Sequence, residues 1–455
     1  MIRSRPPGPK HSIATLLRRI VPIGPHESGA VFWSFAYFFC LMGGYYILRP
    51  VRDEMGIVGG VENLQWLFTG TFLGMLVAVP AFAWLAARFP RRTFLSLVYG
   101  FFIANILIFY LLFRLHIADA LLARGFFIWT SVFNLFVVSV FWSFMADIYT
   151  DRQAERLFGL IAAGGSLGAI VGPMIAALLA PLLGPVNLLP LSAAVLAVAL
   201  VAIYKLRRWD MTDQPLHTGE TPPAAATSAD DEQAIGGGVF SGVRRVLASS
   251  YLLGICLFIL LYTTLSTFLY FQQAHIIRDA FDSSAQRTAV FAWIDFVVNV
   301  LTILAQVALT HRLVERFGVG ATLAVVPVAL MAGFAALAAA PLLATLLAVQ
   351  VLRRAGNYAV TRPAREMLFT VLSREEKYKS KNFVDTVVYR GGDAIAGWIF
   401  AGLMALGLGL NGIAIAAIPL AALWAGVALW LGKRHRSLRS PAPQPETTTA
   451  QETPS

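Results

Sequence analysis

The sequence predicts an all-α polytopic membrane protein with twelve transmembrane helices in two six-helix halves. Three observations predict it. The chain of 455 residues is 57% hydrophobic and only 13% charged, more apolar surface than a soluble domain of this size can hide. Its apolar residues gather into runs of about 20, the length that spans a hydrocarbon core. Those runs come as six, a polar gap and six more.

The elements follow in order. Residues 1–29 form a basic segment without the long apolar core of a secretory signal. Within it, SIATLLRRIV places Ile13, Leu16, Leu17, Ile20 and Val21 on one helical face and Arg18 and Arg19 opposite. An amphipathic helix is expected there, lying on the inner membrane surface or against the protein's own inner side. The first half, residues 30–209, holds runs at 30–49, 63–85, 93–114, 125–147, 157–181 and 187–205. Residues 210–248 contain TGETPPAAATSADDEQAIGGG, with no apolar periodicity, and read as a disordered cytoplasmic linker. The second half, residues 249–437, holds runs at 249–273, 288–310, 319–339, 342–361, 383–407 and 411–432. A polar tail, 438–455, reads as disordered and cytoplasmic.

The net charge of +11 does not indicate a nucleic-acid binder, because the basic residues are spread over short segments between apolar runs. They act as topology signals. With the N-terminus inside, the basic run from Arg353 to Lys381 and most other Lys and Arg residues fall on the cytoplasmic side. Arg49, Arg52, Arg114, Arg124, Arg278 and Arg287 fall opposite, and Arg390 lies within a helix. Both termini and the linker are therefore expected in the cytoplasm. The two cysteines, Cys40 and Cys256, sit inside apolar runs, which excludes a disulfide framework and a cysteine-rich metal site. No cofactor is expected. No phosphate-binding loop, serine nucleophile elbow or His-Glu-x-x-His pattern appears, so no enzyme is expected either.

The halves echo each other. RLFGLIAAGGSLGAIVG, from Arg156, registers on KNFVDTVVYRGGDAIAG, from Lys381. Phe158 then meets Phe383, Ala169 meets Ala394 and Gly172 meets Gly397. Parallel six-helix halves are the arrangement of the major facilitator fold, with substrate near the midplane between them.

Charges inside membrane spans are costly and usually face a cavity or each other. They are few here. Arg49, Arg52, Asp53 and Glu54 close helix 1 in YYILRPVRDEMG, and the first three share a face if the helix runs through Pro50. Asp147 ends helix 4. Asp295 lies within helix 8 with no partner evident in sequence; it either pairs with an arginine of another helix or titrates in a dry site. Asp385, Arg390 and Asp393 lie along helix 11, and Arg390 and Asp393 have the i, i+3 spacing of a pair. Arg49, Arg52 and Arg390 are the expected anion-binding groups, with Tyr45, Tyr46, Asn134 and Asn299 lining the same cavity. Asp53, Asp295, Asp385 and Asp393 are the candidates for proton coupling or gating. In helix 5, Gly164, Gly168 and Gly172 recur every four residues, a groove for close helix contact.

Two stretches are more specific: FWSFMADIYTDRQAERLFGLIAAGGSLG and NYAVTRPAREMLFTVLSREEKYKSKNFVDTVV. Phe141, Trp142, Phe144, Ala154 and Arg156 in the first, and Pro363, Arg365, Glu366, Met367, Lys381, Asp385, Val387 and Val388 in the second, resemble the ATP:ADP antiporter (NTP/NDP exchange transporter) family, its bacterial members most of all. Leu48, Arg49, Arg52 and Asp53 fit its helix 1. The resemblance implies the facilitator fold and exchange of an anionic solute. Its nucleotide exchangers are expected to keep a lysine late in helix 1, a glutamate in helix 4 and a lysine in helix 11. Here Arg52, Thr130 or a neighbour, and Asp393 or a neighbour stand in those places, and arginine offers a planar fork where lysine offers a point charge.

The expectation is a secondary transporter of the bacterial inner membrane, working as a monomer on a small, anionic solute such as a nucleotide or another phosphorylated or carboxylated metabolite. Two alternatives stay open. A proton-coupled exporter of hydrophobic compounds predicts that acids are the essential cavity residues. A non-transporting scaffold or sensor predicts no central cavity.

Overall fold

The structure is a computed structural model that describes residues 24, 27–88, 91–213 and 246–439. The amphipathic segment expected at 12–21, nearly all of the linker and the tail beyond residue 439 lie outside the described residues.

Long apolar runs without backbone partners outside themselves must close their hydrogen bonds internally, so each becomes a helix. The first half comprises α1 (Ser28–Val58), α2 (Leu64–Arg88), α3 (Arg91–Arg114), α4 (Asp119–Ile148), α5 (Asp151–Leu183) and α6 (Leu188–Asp213). The second comprises α7 (Ser250–Ala280), α8 (Ser284–Ala305), α9 (His311–Ala339), α10 (Leu343–Gly356, continued as Arg362–Leu368), α11 (Arg374–Phe383, continued as Tyr389–Ala405) and α12 (Leu410–Arg439). No strand occurs among the described residues. Ten of these helices are long and apolar enough to cross a membrane. The other two, α10 and α11, carry charges and are each interrupted by a π-helical turn, Asn357–Thr361 and Val384–Val388. Side chains such as Val77, Leu182 and Val307, exposed by 71%, 78% and 84%, clothe the outside of the bundle as a lipid-facing surface requires.

Helix 1 is longer than its apolar run. It continues through Pro50 to Val58, so Arg49 lies about 13 Å from the helix end at 1.5 Å per residue. It sits well inside the helix and not at its end.

Each half builds its own core. In the first, α1 packs along α5 and α6. Small residues allow this: a Cβ on Gly164 would come within 2.5 Å of the Phe35 carbonyl oxygen, and one on Gly172 within 2.5 Å of the Gly43 oxygen. The glycine stripe of α5 is a packing surface for α1. In the second half, α9 packs along α12, and α7 along α11 and α12.

The halves meet through α5 with α8, α1 with α8, and α2 with α11. Their cores merge at the end of the bundle away from Ser28 and Arg439. There Ile57, Val61, Leu64, Leu67 and Phe127 of the first half join the core of the second. Ala289 and Ala292 of α8 join the core of the first.

Candidate functional site: a cationic cavity between the halves

The far end is closed by polar ties as well as apolar packing. Arg287 of α8 donates to buried Glu54 of α1, its Nη2 to Oε1 at 2.7 Å and its Nε to Oε2 at 2.9 Å. Arg278 of α7 pairs with Glu62 at 2.8 Å. The Trp398 indole of α11 donates to Thr69 Oγ1 of α2 at 3.0 Å and meets Trp66 edge-on at 4.7 Å.

Below this seal lies a cavity of about 670 Å³, large enough for a drug-sized metabolite. Its basic lining is Arg49, Arg52, Arg353, Arg354, Arg362, Arg365, Lys381 and Arg390; its acidic lining is Asp53, Glu366, Asp385 and Asp393. Exposure rises from the seal toward the terminus end. Arg52 and Asp53 are 15% and 6% exposed, whereas Lys381 and Glu366 are 36% and 39%. The cavity therefore opens toward the end of the bundle that holds Ser28 and Arg439.

At its closed end, Asp53 Oδ1 accepts from Arg52 Nε at 3.0 Å and from the Tyr270 hydroxyl of α7 at 3.0 Å. The Arg52 guanidinium stacks on Phe127, 5.0 Å from the ring centre. Arg52 thus points into the cavity, with partners on α1, α4 and, through Asp53, α7.

At mid-depth, two arginines meet one carboxylate. Asp295 of α8 is fully buried; Arg354 of α10 donates to its Oδ1, and Arg49 Nε of α1 lies 3.6 Å from its Oδ2. Arg353, next to Arg354, has no ion-pair contact with a carboxylate among the described residues. Its Nε donates to Gln350 at 3.0 Å and its Nη1 to Ser266 at 2.5 Å, and the residue lines the cavity. On α11, Arg390 and Asp393 pair at 3.6 Å, and Thr267 of α7 donates to Asp393 at 3.4 Å. Near the open end, Arg365 contacts Asp385 at 3.3 Å and Lys381 contacts Glu366 at 2.5 Å. Both π-helical turns face this space: the first brings Asn357, Tyr358 and Thr361 to the lining, the second Asp385. Inserted turns of this kind re-aim side chains at functional sites.

The cavity lining brings together Arg49, Arg52, Arg390, Tyr45, Tyr46, Asn134, Asp53, Asp385 and Asp393. Two expected members stand apart. Asn299 lies outside this lining; it donates to the Ala169 carbonyl at 2.6 Å and borders a side pocket between α5, α8 and α10. Asp295 lies behind the lining arginines, because the low-dielectric interior holds it against two guanidinium groups. Sequence reasoning missed Arg353 and Arg354, assigned to a cytoplasmic run. Their position about ten residues into an apolar stretch, some 15 Å along a helix, is the signal that places them inside a helix and not in a loop.

A model of the Major Facilitator Superfamily matches residues 33–349. The chain belongs to the Major Facilitator Superfamily. Among curated proteins, this facilitator is 23% identical to ADP,ATP carrier protein 2 of Chlamydia pneumoniae, over 86% of each chain. It is 22% identical to ADP,ATP carrier protein 1 of Chlamydia muridarum (strain MoPn / Nigg), over 90% of this chain and 88% of the relative. It is thus a distant homologue of the ADP,ATP carriers. Among solved structures, it resembles an inward-facing bacterial homologue of the iron transporter ferroportin, with a TM-score of 0.64 at 12% identity over 90% of this chain and 99% of that one. It also resembles the nucleoside transporter NupG, with a TM-score of 0.58 at 12% identity over 90% of this chain and 100% of that one. These structures share its fold. The facilitator is a multi-pass membrane transporter acting on a small-molecule solute.

Proposed function

We propose that this chain is a secondary transporter that moves a small anionic solute across the bacterial inner membrane by alternating access, as a monomer and without chemistry on the solute. The solute is a nucleotide or another phosphorylated or carboxylated metabolite. With the termini in the cytoplasm, the conformation described above is the inward-open one.

One observation carries the reading: Arg49 and Arg354 converge at mid-depth on the single carboxylate of Asp295, and Arg353 joins them in the cavity lining with no ion-pair contact to a carboxylate among the described residues. Burying a charge without a counter-charge is strongly unfavourable, so a cavity with an arginine excess is built to receive an anion. Guanidinium forks match phosphate and carboxylate oxygens two at a time. The names of the relatives support nucleotides within this class. Arg49 and Arg353 would hold the anion, Arg354 would neutralise Asp295 beside them, and Tyr45, Tyr46 and Asn134 would contact the rest of the solute. Asp53 on Tyr270 would gate the far end and Asp385 on Arg365 the near end, with the Arg390–Asp393 pair adjusting the cavity's charge between them.

The test is uptake into proteoliposomes, preloaded or empty, with ADP, ATP, inorganic phosphate, sugar phosphates and dicarboxylates in parallel. Uptake of at least one anion, accelerated by preloading, is the expected outcome. A cavity that moves only hydrophobic cations would sink the proposal.

A further inference from the structure

Arg49, Asp295 and Arg354 join the two halves in a way the binding reading does not use. Arg49 belongs to α1 of the first half; Asp295 and Arg354 belong to α8 and α10 of the second. The two contacts to Asp295 differ in kind. Arg354 makes a close hydrogen bond to Oδ1. Arg49 Nε stands 3.6 Å from Oδ2, too far for a hydrogen bond. Both atoms of this second contact, Arg49 Nε and Asp295 Oδ2, are buried and without a hydrogen-bond partner. Both have an unused bonding capacity that a small inward shift of either helix would satisfy. The rest of Arg49 faces the cavity, beside the Tyr46 ring at 5.5 Å.

We infer that Asp295 is a built-in competitor for the transported anion. It is, among the described residues, the only carboxylate paired with Arg49 or Arg354, and it holds Arg49 of the opposite half loosely. An arriving anion presents oxygens that can make the hydrogen bonds the 3.6 Å contact lacks. Arg49 turns to it, while Arg354 stays with Asp295. The link between the halves then passes from Asp295 to the anion. Anion binding and the contact between the halves compete for one guanidinium, so affinity is set below what the arginines alone would give. The occupied and empty cavities also differ in what ties α1 to α8.

This inference rests on the anion reading proposed above, and its experiment separates the two. Binding of ADP and of inorganic pyrophosphate to the full chain in detergent is measured by calorimetry. The variants are Asp295→Asn, Arg354→Gln, the pair Asp295→Asn with Arg354→Gln, and Arg353→Gln. Asp295→Asn is expected to bind about tenfold more tightly, because the competitor has lost its charge. Arg354→Gln leaves Asp295 wholly to Arg49 and is expected to bind more weakly than the wild type. Adding Asp295→Asn to it removes the buried pair as a unit, avoiding an uncompensated charge that could unfold the single variant, and is expected to recover the lost affinity. A merely structural Asp295 would give weaker binding in every variant that lacks it.

Wild-type binding that Arg353→Gln abolishes, with Asp295→Asn binding no tighter and the double variant no tighter than Arg354→Gln, would overturn the competitor and leave the anion site standing. Absence of binding by the wild type and by Asp295→Asn would overturn both.

Discussion

Glu54 and Arg287 tie the two halves of the bundle at the end away from Ser28 and Arg439. Glu54 is fully buried on α1, and Arg287, near the start of α8, is only 12% exposed. Breaking a buried pair by removing one partner leaves an uncompensated charge and costs about 3–5 kcal/mol. That cost falls on the closed far end, since opening would hydrate the survivor. In an Arg287→Gln variant, a cysteine placed at Thr71 in the cavity lining should therefore react at least about tenfold faster with an impermeant maleimide added from the far side. The swapped pair Glu54→Arg with Arg287→Glu should return the rate toward wild type. Unchanged labelling would show that apolar packing alone holds the seal.

Arg353 is expected to contribute to anion binding through charge-assisted hydrogen bonds, worth about 1.5–3 kcal/mol. Arg353→Gln should weaken binding or raise the transport KM by about ten- to a hundredfold, while Arg362→Gln, at the exposed mouth, should cost far less. Equal effects would place the anion nearer the mouth than mid-depth.

Two glycines of α5 should respond with opposite signs. A Cβ at Gly172 would press on the Gly43 backbone oxygen at 2.5 Å, whereas one at Gly159 meets nothing within 4 Å. Gly172→Ala should lower stability by about 1–3 kcal/mol through overpacking of α1. Gly159→Ala should be neutral or raise stability by up to about 1 kcal/mol through helix propensity. Thermal unfolding in detergent reads both.

Glu27, just before α1, bonds to α5. Arg156 Nη2 reaches its Oε1 at 2.7 Å, Gln153 Nε2 reaches the same oxygen at 3.0 Å, and the Gly24 amide bonds its Oε2 at 2.8 Å. Partial burial pushes its pKa up, but the hydrogen bonds from Gln153 and Gly24 and the charge of Arg156 outweigh burial and hold it below the ordinary glutamate value. A depressed folded-state pKa contributes stability that is present above the unfolded-state pKa and lost as pH falls through the folded one. Glu27→Gln should therefore unfold at a lower temperature than wild type at neutral pH, and the gap should close as pH falls below the ordinary glutamate value, about 4.3. A gap that stays constant with pH would remove the ionic part of this latch.

Much of the fold is legible from run length alone, because a bilayer forces each apolar stretch to satisfy its own backbone. The helix ends are less legible. α1 overruns its apolar run by nine residues, since Pro50 is accommodated within the helix and VRDEMGIV is largely buried by neighbours. Part of the site is legible too: rarity makes Arg49, Arg52, Arg390 and Asp393 conspicuous in their spans. Arg353 and Arg354 are hidden by the opposite effect, a dense basic stretch in which two cavity-lining helical charges read as the start of a loop.

The amino-acid sequence by itself determined the class of protein, the twelve spans, their division into halves and the family resemblance, because hydrophobicity and motif spacing are local and survive without a fold. Only the tertiary structure decided which charges meet. Residues 49, 295 and 354 are joined by helix rotation and by the packing of one half on the other, and no local pattern records either. The same packing decided that Asp295 faces two arginines and not water, that Asn299 bonds a neighbouring backbone outside the main cavity, and that the cavity closes at one end around Glu54 and Arg287.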